Sequence, residues 1–269
     1  MNAPQTTTGR KWERLSRSER ISRFLWLFAA ALAVSLSMQY IEVIPEFLKD
    51  APVQVLDLFR RMWPIDFVYY PVGIHKPLID TLHIATLGTL LCLCMALPIG
   101  LMVARNICKN RLVNWLGMFL LVSSRSVSVL VWALLFVAIF GPGPLAGVIT
   151  IAVRSIGFVG KLFGEALEEA HTGPLEALRA AGAPPASIFI KGYWPQVLPA
   201  FWAIALFRWD INVRESSVIG LVGAGGIGLA LDEALALFHW DRVALILLCI
   251  FIIVIIGEML VTRIRKKIL

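Results

Sequence analysis

Residues Thr81–Ala104 read TLHIATLGTLLCLCMALPIGLMVA, a block without a single Asp, Glu, Lys or Arg. Roughly 20 apolar residues are what a helix needs to cross about 30 Å of hydrocarbon. A second uncharged block lies between Arg125 and Arg154. Composition agrees: of 269 residues 58% are hydrophobic and only 16% charged, against about 25% charged in a soluble domain. Mean hydropathy is +0.78. The chain reads as an all-α, polytopic transmembrane helical bundle that meets membrane lipid.

The formal net charge of +7 raises nucleic acid as a partner, and its placement argues against it. Arg10, Lys11, Arg14, Arg17, Arg20 and Arg23 precede the first apolar run, and Arg263, Arg265, Lys266 and Lys267 follow the last. Arg105, Lys109 and Arg111 sit between two others. Basic clusters beside span ends are the positive-inside pattern. Both termini are therefore expected on the cytoplasmic side of a bacterial inner membrane, which demands an even number of spans. The apolar run after Arg23 outlasts a signal peptide, so an uncleaved first span is expected.

Six spans fit this parity. A basic segment 1–23 precedes the first span, 24–44. An external segment, 45–77, carries an interfacial helix in PVQVLDLFRRMW. A core of five spans, 78–262, follows, and 263–269 is a basic tail. Within the core the spans run from about Leu78 to Ala104, Leu112 to Phe140, Leu145 to Phe163, Leu198 to Ile219 and Val243 to Val261. The third is expected to break at Ser123–Ser126 into a short interfacial piece and a true span. Gly141-Pro142-Gly143-Pro144 is an external turn. Residues 220–242 are expected as an external re-entrant segment.

Between the fourth and fifth spans, at about 165–197, lies a polar island with EALRAAGAPPASIFIKGYWPQVLP at 176–199. Pro174 suits the start of a helix over 174–181, and Gly182 suits the left-handed residue that ends it. Pro184-Pro185 starts a second helix, which Pro195 and Pro199 are expected to close. The island resembles the cytoplasmic loop by which ABC importer permeases grip their ATPase. That pattern is Glu-Ala-Ala, three residues, Gly, nine residues, then Ile-x-Leu-Pro. Glu176, Ala177, Gly182 and Pro195 keep it and are assigned by the resemblance to ATPase coupling. Leu178, Gly192 and Trp194 depart from it, where the family has Ala, Ile and Leu.

Residues 208–228, RWDINVRESSVIGLVGAGGIG, are similar to the fifth span and following turn of phosphonate-type permeases. Charges near mid-membrane each cost roughly 2.5–3.5 kcal/mol, so they usually face a bundle interior or a water-filled path. Arg208, Asn212 and Glu215 share one helix face, and Asp210–Arg214 is an i,i+4 pair. Arg208, Asn212, Arg214, Glu215 and Ser126 are candidates for the translocation pathway, with structural ion pairing left open. Gly223, Gly225 and Gly228 satisfy G-x-G-x-x-G, yet the motif means nucleotide only inside a βαβ unit. Together with Gly226 they are expected to form a structural turn or gate, before a short re-entrant helix at about Leu229–Phe238.

No nucleophile–base pair, acid/base dyad, metal cluster or P-loop stands in the sequence; Gly160-Lys161 is followed by Leu162. Cys92, Cys94, Cys108 and Cys249 read as small hydrophobes. No catalytic or metal-binding residue and no bound cofactor is expected, so this is not an enzyme. The resemblance implies a methionine-importer-like type I fold and import of phosphonate, phosphite or a related oxyanion. It also implies a homodimer, two cytoplasmic subunits that bind ATP and Mg, and an external or periplasmic substrate-binding protein. An amino-acid or methionine importer, or a stand-alone ion-coupled transporter, remains open.

Overall fold

The computed structural model describes residues 16–40 and 45–268. The chain divides into two compact units, residues 1–57 and 58–269. In the first, α1 (Arg17–Tyr40) buries none of its residues. It begins seven residues before the expected Phe24, so Arg17, Arg20 and Arg23 form its first turns instead of a flank. The cause is local: Ser16 N–H donates to Glu19 Oε2 at 2.9 Å and Glu19 N–H to Ser16 Oγ at 3.4 Å. This reciprocal capping box satisfies two otherwise orphaned donors. Residues 1–15 and the expected end of this span at Ile44 lie outside the described residues. Helix α2 (Pro45–Arg61) includes Pro52 in its interior, so the expected interfacial helix is longer than PVQVLDLFRRMW.

The described residues of the second unit form helices joined by short turns, with no strand among them. Its helices are α3 (His75–Val103), α4 (Arg111–Ser126), α5 (Val129–Phe140) and α6 (Pro144–Glu168). They are followed by α7 (Thr172–Ala180), α8 (Pro185–Ile188), α9 (Trp194–Ile219), α10 (Ile227–Ala236) and α11 (Trp240–Ile268). Helices α3, α6 and α9 form the centre; α4, α5 and α11 pack around them. Four helical segments among the described residues are long and apolar enough to span, and counting each of two bent pairs as one span brings the number to six. That total matches the expected bundle.

Several boundaries move, each for a physical reason. Helix α3 starts before Leu78, because Pro77 falls in its first turn, where a missing N–H costs nothing. A single turn of π-helix, Tyr70–Ile74, leads into it. Residues Ser123–Ser126 do not break the third span. Ser126 Oγ bonds back to the Ser123 carbonyl at 3.0 Å and Ser124 Oγ donates to the Val153 carbonyl, so the helix survives its serines. The break falls at Val127–Ser128, both extended, where α4 and α5 meet at 94°. At 1.5 Å per residue α5 is only about 18 Å long, so it is not the full span expected there.

The two ends of the core are distinguishable. At one, the elbow end, where α6 leads into α7 and α8, Arg105 N–H donates to Glu168 Oε1 at 2.7 Å and Asn106 Nδ2 to the Leu167 carbonyl at 2.6 Å. At the other, the turn end, Gly143 N–H donates to the Gly223 carbonyl at 2.9 Å and Ile227 N–H to Thr81 Oγ1 at 2.7 Å. Gly223, Gly225 and Gly226 have φ of +86°, +81° and +75°, a backbone that only glycine adopts freely. This supports a tight turn and not a nucleotide loop. The short helix α10 starts at Ile227, two residues earlier than expected, directly on leaving that turn.

Close packing at Gly228 gives a clean test. A Cβ there would strike the Ser217 carbonyl oxygen and lie 2.8 Å from Gly220 Cα, both backbone. Gly228→Ala is therefore expected to destabilise the protein by about 1–3 kcal/mol, read as thermal unfolding in detergent. Gly173→Ala, with nothing within 4 Å, should be neutral or stabilise by up to about 1 kcal/mol.

Candidate functional site

The elbow is built from α7, α8 and the start of α9. Helix α7 begins at Thr172, two residues before the expected Pro174, and ends as expected at Gly182, whose φ is +72°. Gly182 N–H donates to the Arg179 carbonyl and Ala183 N–H to Leu178, both at 3.0 Å, which is the paired bonding of a Schellman end. Pro185 opens α8 as expected. Pro195 and Pro199 do not close it. The chain passes from α8 through a π turn, Phe189–Tyr193, straight into α9. Trp194 N–H reaches back to Phe189, and this wider turn accommodates the proline that follows.

The elbow is anchored on its inner side and bare on its outer side. Leu175 is buried with Tyr193, Val197, Phe163 and Leu167. Gln196 Oε1 accepts from His171 N–H at 2.9 Å while its Nε2 donates to the Gly192 carbonyl at 2.8 Å. Glu176, Ala177, Gly182 and Pro195 are all exposed, and Glu176 has no ion-pair partner among the described residues. Two of the three departures from the loop pattern meet in space. A Cβ on Gly192 would sit 3.2 Å from Leu178 Cδ1 and 2.6 Å from Leu175 Cδ2. The larger Leu178 occupies room that the smaller Gly192 leaves.

The charged residues of α9 separate onto two faces. On one, Arg208 Nη2 donates to Glu215 Oε2 at 2.7 Å and Arg208 Nε to Ser155 Oγ at 2.8 Å. Ser155 donates to Asn212 Oδ1 at 3.0 Å, Asn212 Nδ2 to Thr89 Oγ1 at 2.7 Å, and Thr89 to the Ala85 carbonyl at 2.6 Å. This directional chain stitches α9, α6 and α3 together. Arg208 is 4% exposed and Asn212 0%. On the other face Arg214 pairs with Asp210 beside a cavity of about 520 Å³ also lined by Glu258, Arg265 and Lys266. Ser126 stands exposed at the α4–α5 break and is not part of the chain. Ser155, Thr89 and Gln196 were missed by the sequence reading, since single polar residues in apolar or loop stretches carry no pattern.

Residues 96–269 match the family described as binding-protein-dependent transport system inner membrane component. The chain belongs to that family. Membership implies an ATP-binding subunit and a substrate-binding protein, and sets aside the stand-alone ion-coupled reading. The phosphite transport system permease protein PtxC of Stutzerimonas stutzeri is 40% identical over 79% of this chain and 77% of its own. The phosphate-import permease protein PhnE of Mycolicibacterium smegmatis is 36% identical over 88% of this chain and 44% of its own. The inward-facing methionine transporter MetNI shares the fold, with a TM-score of 0.62 and 24% identity over 73% of this chain and 96% of that one.

The Leu178–Gly192 contact makes this permease's elbow testable. Gly192→Ile alone is expected to cost about 1–3 kcal/mol by overpacking. Leu178→Ala should cost about 1–2 kcal/mol, below the fully buried range because Leu178 is half-buried. The double variant should recover at least about 0.5 kcal/mol of coupling, in part only because Leu175 still has to move. Additive losses in thermal unfolding would show the two positions to be independent.

Proposed function

We propose that this chain is the pore-forming subunit of an ATP-driven importer that carries phosphonate, phosphite or a related small phosphorus oxyanion inward. The observation that carries the coupling half is the elbow: a rigidly anchored pair of helices that leaves Glu176 bare and unpaired. The cargo half rests on likeness to permeases named for phosphite and phosphate import. One chain offers one elbow, so a two-fold transporter takes two copies as a homodimer. Two ATPase subunits bind ATP and Mg, and an external binding protein delivers the anion. Both basic termini and the elbow lie on the cytoplasmic side.

Closure of the ATPases draws the elbows together. Because α8, the π turn and α9 are one continuous rod, the movement passes from Glu176, Ala177, Gly182 and Pro195 to Arg208 and Glu215 at mid-depth. Asn212 positions Arg208 through Ser155 and does not itself meet cargo. Arg214, on the α11 face, is a structural partner of Asp210. The glycines at 223, 225, 226 and 228 hold a fixed frame at the far end, against which α9 moves. A second reading, import of methionine or another amino acid, is favoured by the shared fold with the methionine transporter.

Two measurements test this. Purified partner binding protein should bind phosphite or methylphosphonate and not methionine. Glu176→Lys should lower uptake at least about tenfold, as loss of a charge at a docking surface does. Gly182→Pro should do the same, since proline cannot adopt the φ of +72° found there. Normal uptake in both variants, with normal membrane insertion, would rule out the coupling role.

A further inference from the structure

Two arginines stand where α4 crosses α6, and neither has a carboxylate partner among the described residues. Arg125 lies in the last turn of α4, its stem laid over Gly157, where a Cβ would fall 2.9 Å from Arg125 Cδ. Arg154 lies one turn earlier on α6, and its Nε is buried without a hydrogen-bond partner. Its neighbour in the chain, Ser155, accepts from Arg208 Nε at 2.8 Å, which brings Arg208 to the same turn of α6, where the two like charges oppose each other. Ser124 pins the crossing, donating to the Val153 carbonyl and accepting from Gly157 N–H at 3.3 Å. Arg208 lies behind, its guanidinium 5.9 Å from the Phe158 ring.

Depth makes these charges informative. Arg125 is about 21 Å along α4 from the elbow end, and Arg154 about 15 Å along α6 from the turn end. Both sit near the middle of a hydrocarbon layer of about 30 Å. Of the nearby carboxylates, Glu215 is taken by Arg208 and Asp210 by Arg214. A cation left unpaired at that depth faces a water-filled path or an anion that visits it. Arginine forks accept tetrahedral oxyanions in paired hydrogen bonds.

We infer that Arg125 and Arg154, backed by Arg208, form an anion-holding station at mid-depth in the transport path, suited to a small tetrahedral oxyanion. The inference rests on the importer reading above and assigns to this chain a share of the selectivity. Like-charge repulsion between Arg154 and Arg208 keeps the station unstable when empty. The anion relieves that repulsion and is released when α9 carries Arg208 away.

The test uses the whole transporter, with its ATPase and binding protein, in proteoliposomes supplied with phosphite or methylphosphonate. Arg125→Gln and Arg154→Gln should each cut uptake about tenfold or more. Arg154→Lys should lose less, since it keeps the charge but not the fork. The thermal midpoint of Arg154→Gln in detergent should hold or rise, because a repulsion has been removed. Uptake within about twofold of the parent in both Gln variants would overturn the station. A fallen midpoint together with lost uptake would also overturn it, as the mark of an ion pair with a carboxylate of the second copy. A parent that imports methionine and neither phosphorus anion would overturn the cargo reading and the station together; a parent that imports phosphite while both variants do too removes the station alone.

Discussion

Asn212 has no contact with solvent, and both ends of its amide are committed: Oδ1 to Ser155 on α6 and Nδ2 to Thr89 on α3. In a hydrocarbon setting an unsatisfied polar group costs several kcal/mol, so this pairing holds the register of three central helices. Helix–helix association there gains little from hydrophobicity and depends on close contact and polar pairing. The small residues of α6 supply the contact. Gly160 lets Leu121 approach, and Gly164 sits against the Gly100 carbonyl. Polar stitching and small-residue packing thus set the position of Arg208, whose side chain could not otherwise be held at that depth.

The same helix that carries Arg208 begins in the elbow. From Pro185 to Ile219 the backbone stays helical, through a π turn, with no hinge between the start of α8 and the charges at mid-depth. A flexible joint at Pro195 would have let the elbow move while α9 stayed still. The π turn prevents this, because it widens the helix enough to take the proline ring without opening it. Anchoring by Leu175 and Gln196 ties α7 to the rod, so a load on Glu176 has no soft element in which to dissipate.

Much of this was legible from residue order. Uncharged blocks located the spans, Gly182 fell at the left-handed position its context implied, and Gly223, Gly225 and Gly226 have the positive φ that a tight turn takes. The capping box at Ser16 and Glu19 was equally legible, since S-x-x-E is a local signal, yet the basic residues that follow drew the boundary away from it. Other features could not be read locally. A proline in a continuous helix looks like a terminator until the backbone beside it is known to widen. Leu178 and Gly192 look like two independent departures, because their compensation exists only across the α7–π-turn contact. Thr89 and Ser155 stand alone in apolar runs and acquire meaning only when Asn212 reaches both.

Electrostatics favour an anion over a zwitterion as the passenger. Among the described residues one carboxylate, Glu215, is paired with any of the three guanidinium groups of Arg125, Arg154 and Arg208, and its partner is Arg208. An amino-acid zwitterion brings one charge of each sign; its ammonium would enter a field already positive, and its carboxylate would satisfy one fork at most. A phosphorus oxyanion brings negative charge alone, spread over oxygens that can accept from two forks at once. Such a path attracts anions from either side, so directionality cannot come from the charges themselves. In the importer proposed above, it comes from moving Arg208 relative to Arg154, and the helix that runs unbroken from α8 to Arg208 is the element able to do that.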